Sequence, residues 1–325
     1  LTHRIIVLGT GPEAVAVENA LKDMTRSGVS LVGFFPISSA TAPAVATDKI
    51  VRTSTSLEDT VSRLGVNEVI VALQEQRGGL LPVSQLLNCR LRGVRITELS
   101  AFFERVTGEV PVSSLKASWL IYGEGFRQGW SRRFVKRAFD VSASALLLFL
   151  ASPIMLIAAA AIFLESGRPI VFRQERVGLG GRPFMLLKFR SMRTDAEKDG
   201  VPRWAASGDP RVTRVGRFIR RTRIDELPQI FNVLKGEMSF VGPRPERPFF
   251  VAQLTEQVPF YGARHTVKPG LTGWAQVRYS YGASVEDAVR KLQYDLYYIK
   301  NHSVFLDLLI LFGTVRVVVM GEGVR

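Results

Sequence analysis

The stretch Val141–Leu164, VSASALLLFLASPIMLIAAAAIFL, contains no charged residue and limits what the rest of the chain can be. As one straight helix it would rise about 36 Å, enough to cross a hydrocarbon layer of about 30 Å. Ser152-Pro153 falls near its midpoint, where proline removes an intrahelical hydrogen bond and kinks the helix. Both flanks are basic, with Arg132, Arg133, Lys136 and Arg137 before the run and Arg168, Arg173 and Arg176 after it. The preference of basic residues for the cytoplasmic side then places both ends on that face. A re-entrant helix hairpin that enters the membrane, breaks at Ser152-Pro153 and returns satisfies both features. A straight crossing would leave one basic flank outside, and a hairpin buried in a soluble core is the remaining alternative.

With 325 residues the chain has room for two domains, each with its own core. A formal net charge of +14 and a pI near 10.3 call for acidic partners: nucleic acid, anionic headgroups or phosphorylated substrates. A nucleic-acid binder would account for the charge but not for the apolar run, so no nucleic acid is expected. The lone Cys89 excludes an intrachain disulfide framework and a cysteine-built zinc site; it reads as a core residue. The three histidines show no H-x-x-x-H or H-E-x-x-H spacing, hence no histidine metal site. The chain opens on Leu1 without a signal peptide, so a fragment of something longer is one reading, and whether membrane helices precede it stays open.

Residues 1–106 read as an open parallel α/β domain of Rossmann-like type. Strands are expected over 4–8, 29–35, 67–73 and 94–99, with helices from the Pro12 region to about Arg26 and over 80–91. Gly9-Thr10-Gly11-Pro12-Glu13-Ala14 fits the G-x-G-x-x-A turn that receives a pyrophosphate at a helix start. The acidic residue that should end the second strand and hold a ribose is missing from Gly33–Ala40. A nicotinamide cofactor, another nucleotide or regulatory ligand at Gly9 and Gly11, and a purely structural domain all stay open. Residues 107–131, with Trp119, Tyr122 and Trp130, read as a linker with interfacial aromatics. The hairpin then occupies 132–166 and a mainly helical α+β domain 167–325.

Within that last domain, Arg217–Pro248 reads RFIRRTRIDELPQIFNVLKGEMSFVGPRPERP. Arg211, Arg214, Arg217, Arg220, Arg221 and Arg223 crowd ahead of two adjacent carboxylates, Asp225 and Glu226. A carboxylate serves as nucleophile or metal ligand, and guanidinium groups neutralise phosphoryl oxygens. A solvated basic helix with a salt-bridged end is the plain alternative. Phe240–Pro245, FVGPRP, is a rigid turn that presents one more arginine. Apolar residues between the arginines predict a basic amphipathic helix through Arg214–Ile230 that suits a membrane surface.

Several ordered motifs, from about Arg132 to Gly321, resemble the bacterial sugar transferases that prime glycan assembly, the monotopic phosphoglycosyl transferases. They are KRAFD (136–140), Ser152-Pro153, FRQERVG (172–178), LLKFRSMRTDAE (186–197), IDELPQIFNVLKGEMSFVGPRP (224–245), RHTVKPGLTGWAQV (264–277) and YDLYYIKN (294–301). The resemblance implies transfer of a hexose-1-phosphate from a UDP-sugar to a polyprenyl phosphate at the cytoplasmic face of the bacterial inner membrane. Asp225 would be the nucleophile, forming an aspartyl-phosphosugar and releasing UMP. Glu226 would help Asp225 hold Mg²⁺, and Lys188, Arg220 and Arg244 would bind substrate phosphates. Asp295 is a further matched acid or a structural salt bridge, and His265 a base or a loop residue. The family's exopolysaccharide members point toward glucose or galactose, which no motif here encodes. Homo-oligomerisation stays open. The rivals are an inactive, nucleotide-sensing regulatory membrane protein and an NAD-dependent oxidoreductase, the latter disfavoured by the missing ribose carboxylate.

Overall fold

The computed structural model describes residues 2–22, 28–37, 42–51, 56–73, 81–110, 112, 129–196, 209–279, 282 and 284–320. The chain forms two compact units, residues 1–117 and 118–325. In the first, strands β1 (His3–Leu8), β2 (Val29–Phe35), β3 (Glu68–Val71) and β4 (Arg95–Glu98) form a sheet of order β2-β1-β3-β4. Every pairing in it is parallel. Helices α1 (Pro12–Lys22), α2 (Leu57–Arg63), α3 (Val83–Leu91) and α4 (Leu99–Thr107) alternate with the strands.

Successive strand side chains point to opposite faces, so the apolar runs of β1 and β3 feed two cores. Ile5, Val7 and Ile70 pack with Ala14, Val17 and Phe102 from α1 and α4. Ile6, Leu8, Val69 and Val71 pack with Leu57, Val61 and Cys89 from α2 and α3. Cys89 is thus a core residue, as its sequence context suggests. Near-continuous apolar strands are what a parallel sheet covered on both faces requires. The α1 helix ends at Lys22, and the expected extension to Arg26 falls outside the described residues, as do Leu80, Trp119 and Tyr122.

The second unit opens with α5 (Trp130–Ser166), 37 residues long with Pro153 inside it. It is one helical element, long and apolar enough by length and composition to cross a membrane. Ser152 Oγ donates to the Phe149 carbonyl at 2.9 Å beside the proline. Its middle is exposed and apolar, including Phe149, Leu150, Leu156 and Ile157, while polar contacts concentrate at its two ends. Near the start, Asp140 accepts from Ser239 Oγ and Phe240 N, both at 3.0 Å. Lys136 pairs with buried Asp307 at 2.7 Å, and Arg137 donates to the carbonyls of Val233 and Leu234 at 2.6 Å. At the far end, Arg190 donates to the carbonyls of Ser166 and Gly167 at 2.9 Å.

After α5 come an antiparallel hairpin, β5 (Val171–Val177) and β6 (Pro183–Phe189), and then α6 (Arg214–Arg221). A 3₁₀ turn at Ile224–Glu226 leads to α7 (Gln229–Lys235) and β7 (Ser239–Val241). Helix α8 (Pro248–Gln257), a 3₁₀ turn at Tyr261–Thr266, and β8 (Gly270–Thr272), parallel to β7, follow. Helices α9 (Trp274–Arg278), α10 (Val285–Asn301) and α11 (Val304–Met320) close the chain. The expected single helix through Arg214–Ile230 is therefore two helices. Thr222 ends the first, Arg223 adopts left-handed backbone at φ 59°, and Pro228 has no N–H with which to continue a helix.

Candidate active site

The break between α6 and α7 is what buries the acid pair. With Arg223 in the left-handed region the chain reverses, and Asp225 and Glu226 end 8% and 9% exposed in the 3₁₀ turn. Glu226 Oε1 accepts from Arg244 Nη2 at 2.7 Å and from Lys188 Nζ at 3.2 Å, with Arg223 Nη1 at 3.9 Å. Three separate elements converge on that carboxylate. Lys188, Glu226 and Arg244 thus stand together. No hydrogen bond or ion pair holds the Asp225 side chain among the described residues. Arg220 contributes as a positive charge near Asp225.

These environments drive the two acids apart. Burial, and then the charge of Glu226, push Asp225 up to about 6, against the pull of Lys188, Arg220 and Arg223. Burial also opposes charge on Glu226, but Arg244, Lys188 and Arg223 outweigh it and hold its carboxyl well below the usual range. At neutral pH Glu226 is a fixed anion, whereas Asp225 is a carboxylate near its titration point.

The supports are built from buried polar groups. The Asn232 amide accepts from Leu187 N at 3.0 Å and donates to Met185 O at 2.8 Å, so α7 is tied to β6 beside Lys188. Arg264 donates to the Arg244 carbonyl at 2.9 Å and to Asp295 at 2.8 Å, and to the Tyr261 hydroxyl at 2.5 Å. Asp295 therefore faces Arg264, not the acid pair. Burial raises it to about 6 even though Arg264 pulls the other way. Gly242, in the loop that carries Arg244, has no room for a side chain, because a Cβ would collide with the Lys268 carbonyl.

His265 is pushed down to about 4 by burial and by the Arg264 charge, so it is neutral at physiological pH. With Arg244 and Arg264 it lines a cavity of about 10 Å³ that Asp225 and Glu226 do not border. In the first unit, Gly9 turns at φ +122° with an ideal Cβ 2.6 Å from the Ala72 carbonyl. A Cβ on Gly11 would lie 3.1 Å from Glu13 Oε2, which puts a carboxylate over the turn where a pyrophosphate would sit.

Among the described residues no three His, Cys, Asp or Glu side chains form a metal-binding group. Two adjacent carboxylates still suit a Mg²⁺ ion, which commonly takes one or two protein carboxylates and completes its shell with water and substrate phosphates. Asp225 and Glu226 fit such a shared ion. The sequence reading missed Asn232 and Arg264 as parts of the site, and had Arg223 only as one of the run of arginines ahead of the acids. Arg264 sits in a quoted motif and Asp295 in another, yet nothing in either shows that they pair.

Residues 131–321 match the family described as bacterial sugar transferase. The chain is 44% identical over 247 residues, 74% of its length, to the UDP-N-acetylgalactosamine-undecaprenyl-phosphate N-acetylgalactosaminephosphotransferase of Aeromonas hydrophila. It is 36% identical over 329 residues, 97% of its length, to the undecaprenyl-phosphate glucose phosphotransferase of Komagataeibacter xylinus. It spans 56% of the first of these proteins and 59% of the second. The UDP-glucose:undecaprenyl-phosphate glucose-1-phosphate transferase of Escherichia coli (strain K12) is 45% identical over 185 residues, 56% of this chain and 40% of that protein. The matched span runs from the start of α5 to the end of α11 and takes in the acid pair with every cation around it, so this chain belongs to the bacterial sugar transferase family.

Proposed function

We propose that the protein transfers a hexose-1-phosphate from a UDP-sugar to a membrane polyprenyl phosphate, the step that primes exopolysaccharide or other glycan assembly. The observation that carries this reading is the unequal pair: Glu226 pinned and ionised by Lys188 and Arg244, with Asp225 buried beside it and unpaired. An Asp225 oxygen attacks the β-phosphorus of the donor, the bond to the leaving phosphate breaks, and UMP departs with the bond's electrons. An oxygen of the polyprenyl phosphate then attacks the same phosphorus, displacing the Asp225 carboxylate and leaving a polyprenyl-diphospho-sugar. Lys188, Arg220 and Arg244 stabilise the phosphoryl oxygens, and Glu226 holds Lys188 and Arg244 in place. Mg²⁺ held by Asp225 and Glu226 would neutralise diphosphate charge. Of the three relatives named above, one carries N-acetylgalactosamine in its name and two carry glucose, so membership of the family does not fix the sugar.

A re-entrant α5 at the cytoplasmic face of the inner membrane completes the reading. Both sides of Pro153 bear on the same unit: Asp140 holds Phe240 N, while Ala158 and Ile162 pack with Phe189 and Ile219. The strand order β2-β1-β3-β4 is the flavodoxin-like order among doubly wound sheets, not the 3-2-1-4 order of a dinucleotide-binding Rossmann fold. The intact acid pair and its cations disfavour an inactive regulatory protein.

The experiment is intact-protein mass after incubation with UDP-sugars and Mg²⁺ but no lipid acceptor. Wild type is expected to gain one sugar-phosphate and Asp225→Asn none. No gain with any donor, together with no UMP release on adding polyprenyl phosphate, would sink the transferase reading.

A further inference from the structure

Helix α6 has a face that the transfer chemistry does not use. Arg214, Arg217, Phe218 and Arg221 follow the i, i+3, i+4, i+7 spacing of one helical stripe, and all four are exposed, Phe218 at 54%. No ion pair engages these arginines among the described residues. Arg220, at about 100° per residue, falls off the stripe by about a third of a turn.

The opposite face is fixed. Ile219 packs with Ala158, Ile162 and Phe189, and Gly216 lies against the Ser191 carbonyl. The Glu165 carboxylate accepts from Arg214 N at 2.8 Å and Val215 N at 3.2 Å, and Thr213 Oγ1 from Gly216 N at 2.9 Å. The amino end of α6 is thus already satisfied by the protein, and the positive charge left over is that of the stripe. The same contacts clamp α6 to the last turns of α5, where Phe163 and Leu164 are exposed. Three cations are held rigidly where the apolar helix ends.

We infer that the Arg214–Arg217–Phe218–Arg221 stripe is a docking face for anionic lipid headgroups. The inference rests on the membrane reading of α5. Charge complementarity favours phosphate-bearing headgroups, and an exposed phenylalanine among the cations suits a helix lying in the interface plane. The same stripe would hold α6, and the acid pair that follows it, against the bilayer surface where a polyprenyl phosphate presents its head.

The test uses the full chain with a polarity-sensitive dye on Phe218→Cys, native Cys89 being buried. It is placed in nanodiscs of phosphatidylcholine alone or with about 30% phosphatidylglycerol, an anionic surface that attracts basic residues. A blue shift is expected only in the mixed discs. It should reverse in about 1 M salt, where screening is short-ranged, vanish in the combined Arg214→Gln, Arg217→Gln, Arg221→Gln variant, and persist with three lysines. Equal emission in both lipids, or a shift that survives the glutamines, overturns the proposal. Transferase turnover should rise about fivefold with the anionic lipid in wild type but not in the triple glutamine variant. Both should show the same donor KM in neutral detergent, and a raised KM in the variant would assign the stripe to the nucleotide-sugar and overturn the proposal. The dye reading requires no catalysis, so it stands or fails separately from the transferase reading.

Discussion

Two glycine loops in this chain look alike on paper and differ in what they can do. Gly9-Thr10-Gly11 follows β1 and leads into α1; Gly242-Pro243-Arg244-Pro245 follows β7. Each has a glycine with no room for a Cβ, Gly9 against Ala72 and Gly242 against Lys268. Beside the first loop stands the Glu13 carboxylate, 3.1 Å from where a Cβ on Gly11 would lie. At the second, Arg244 reaches Glu226 at 2.7 Å while Arg264 and Asp295 hold the loop from behind. A tight glycine turn supplies backbone proximity. Chemistry on phosphate also requires charges that converge from other elements.

The sharpest test of that contrast is Arg244→Ala, which removes one of the two closest cations from Glu226 without touching the glycine turn. Transferase kcat/KM is expected to fall about 10²–10³-fold, the usual loss for one preorganised charge-stabilising donor. A loss within threefold would show that convergence on Glu226 is not what matters. Next is pH. In the proposed reaction Asp225 attacks as a carboxylate, so activity should rise as pH increases through about 6, where burial and Glu226 place Asp225. Glu226→Gln removes the second of those causes and leaves Lys188, Arg220 and Arg223 pulling downward, so the acid limb of the residual activity should move to lower pH. A limb that stays put or moves up would break the coupling. The smallest effects belong to the first loop. Gly9→Ala combines a φ of +122° with a backbone clash and should destabilise the first unit by about 1–3 kcal/mol. Gly11→Ala meets only the flexible end of Glu13 and should leave both thermal stability and transferase activity within twofold. A large activity loss there would restore the first loop as a functional site.

The elements most legible in the sequence are those written in apolar runs. The β2 strand falls at Val29–Phe35, where the expected run ends in three buried residues. Glu226, Lys188 and Arg244 were legible as a set through motif order, and the structure brings them within bonding distance. The turn that buries them was not, since a non-glycine residue in left-handed backbone, Arg223, has no sequence signature. The Arg264–Asp295 pair was equally hidden: the two residues lie 31 positions apart, and a buried ion pair between distant segments is a product of packing. KRAFD was visible as a motif, but its task of seating α5 on β7 through Lys136 and Asp140 depends on partners 100 or more residues away.

That seating decides whether the second unit can be taken apart. Deleting α5 to obtain a soluble piece would strip Lys136 from Asp307, an acid 1% exposed whose side chain would be left with the Tyr298 hydroxyl. It would also strip Arg137 from the carbonyls of Val233 and Leu234 and Asp140 from the amide of Phe240. Removing one member of a buried pair costs about 3–5 kcal/mol, a large share of what keeps a domain folded. The apolar helix is therefore as much a part of the catalytic fold as any strand in it, and solubility and foldedness are opposing demands on this half of the chain.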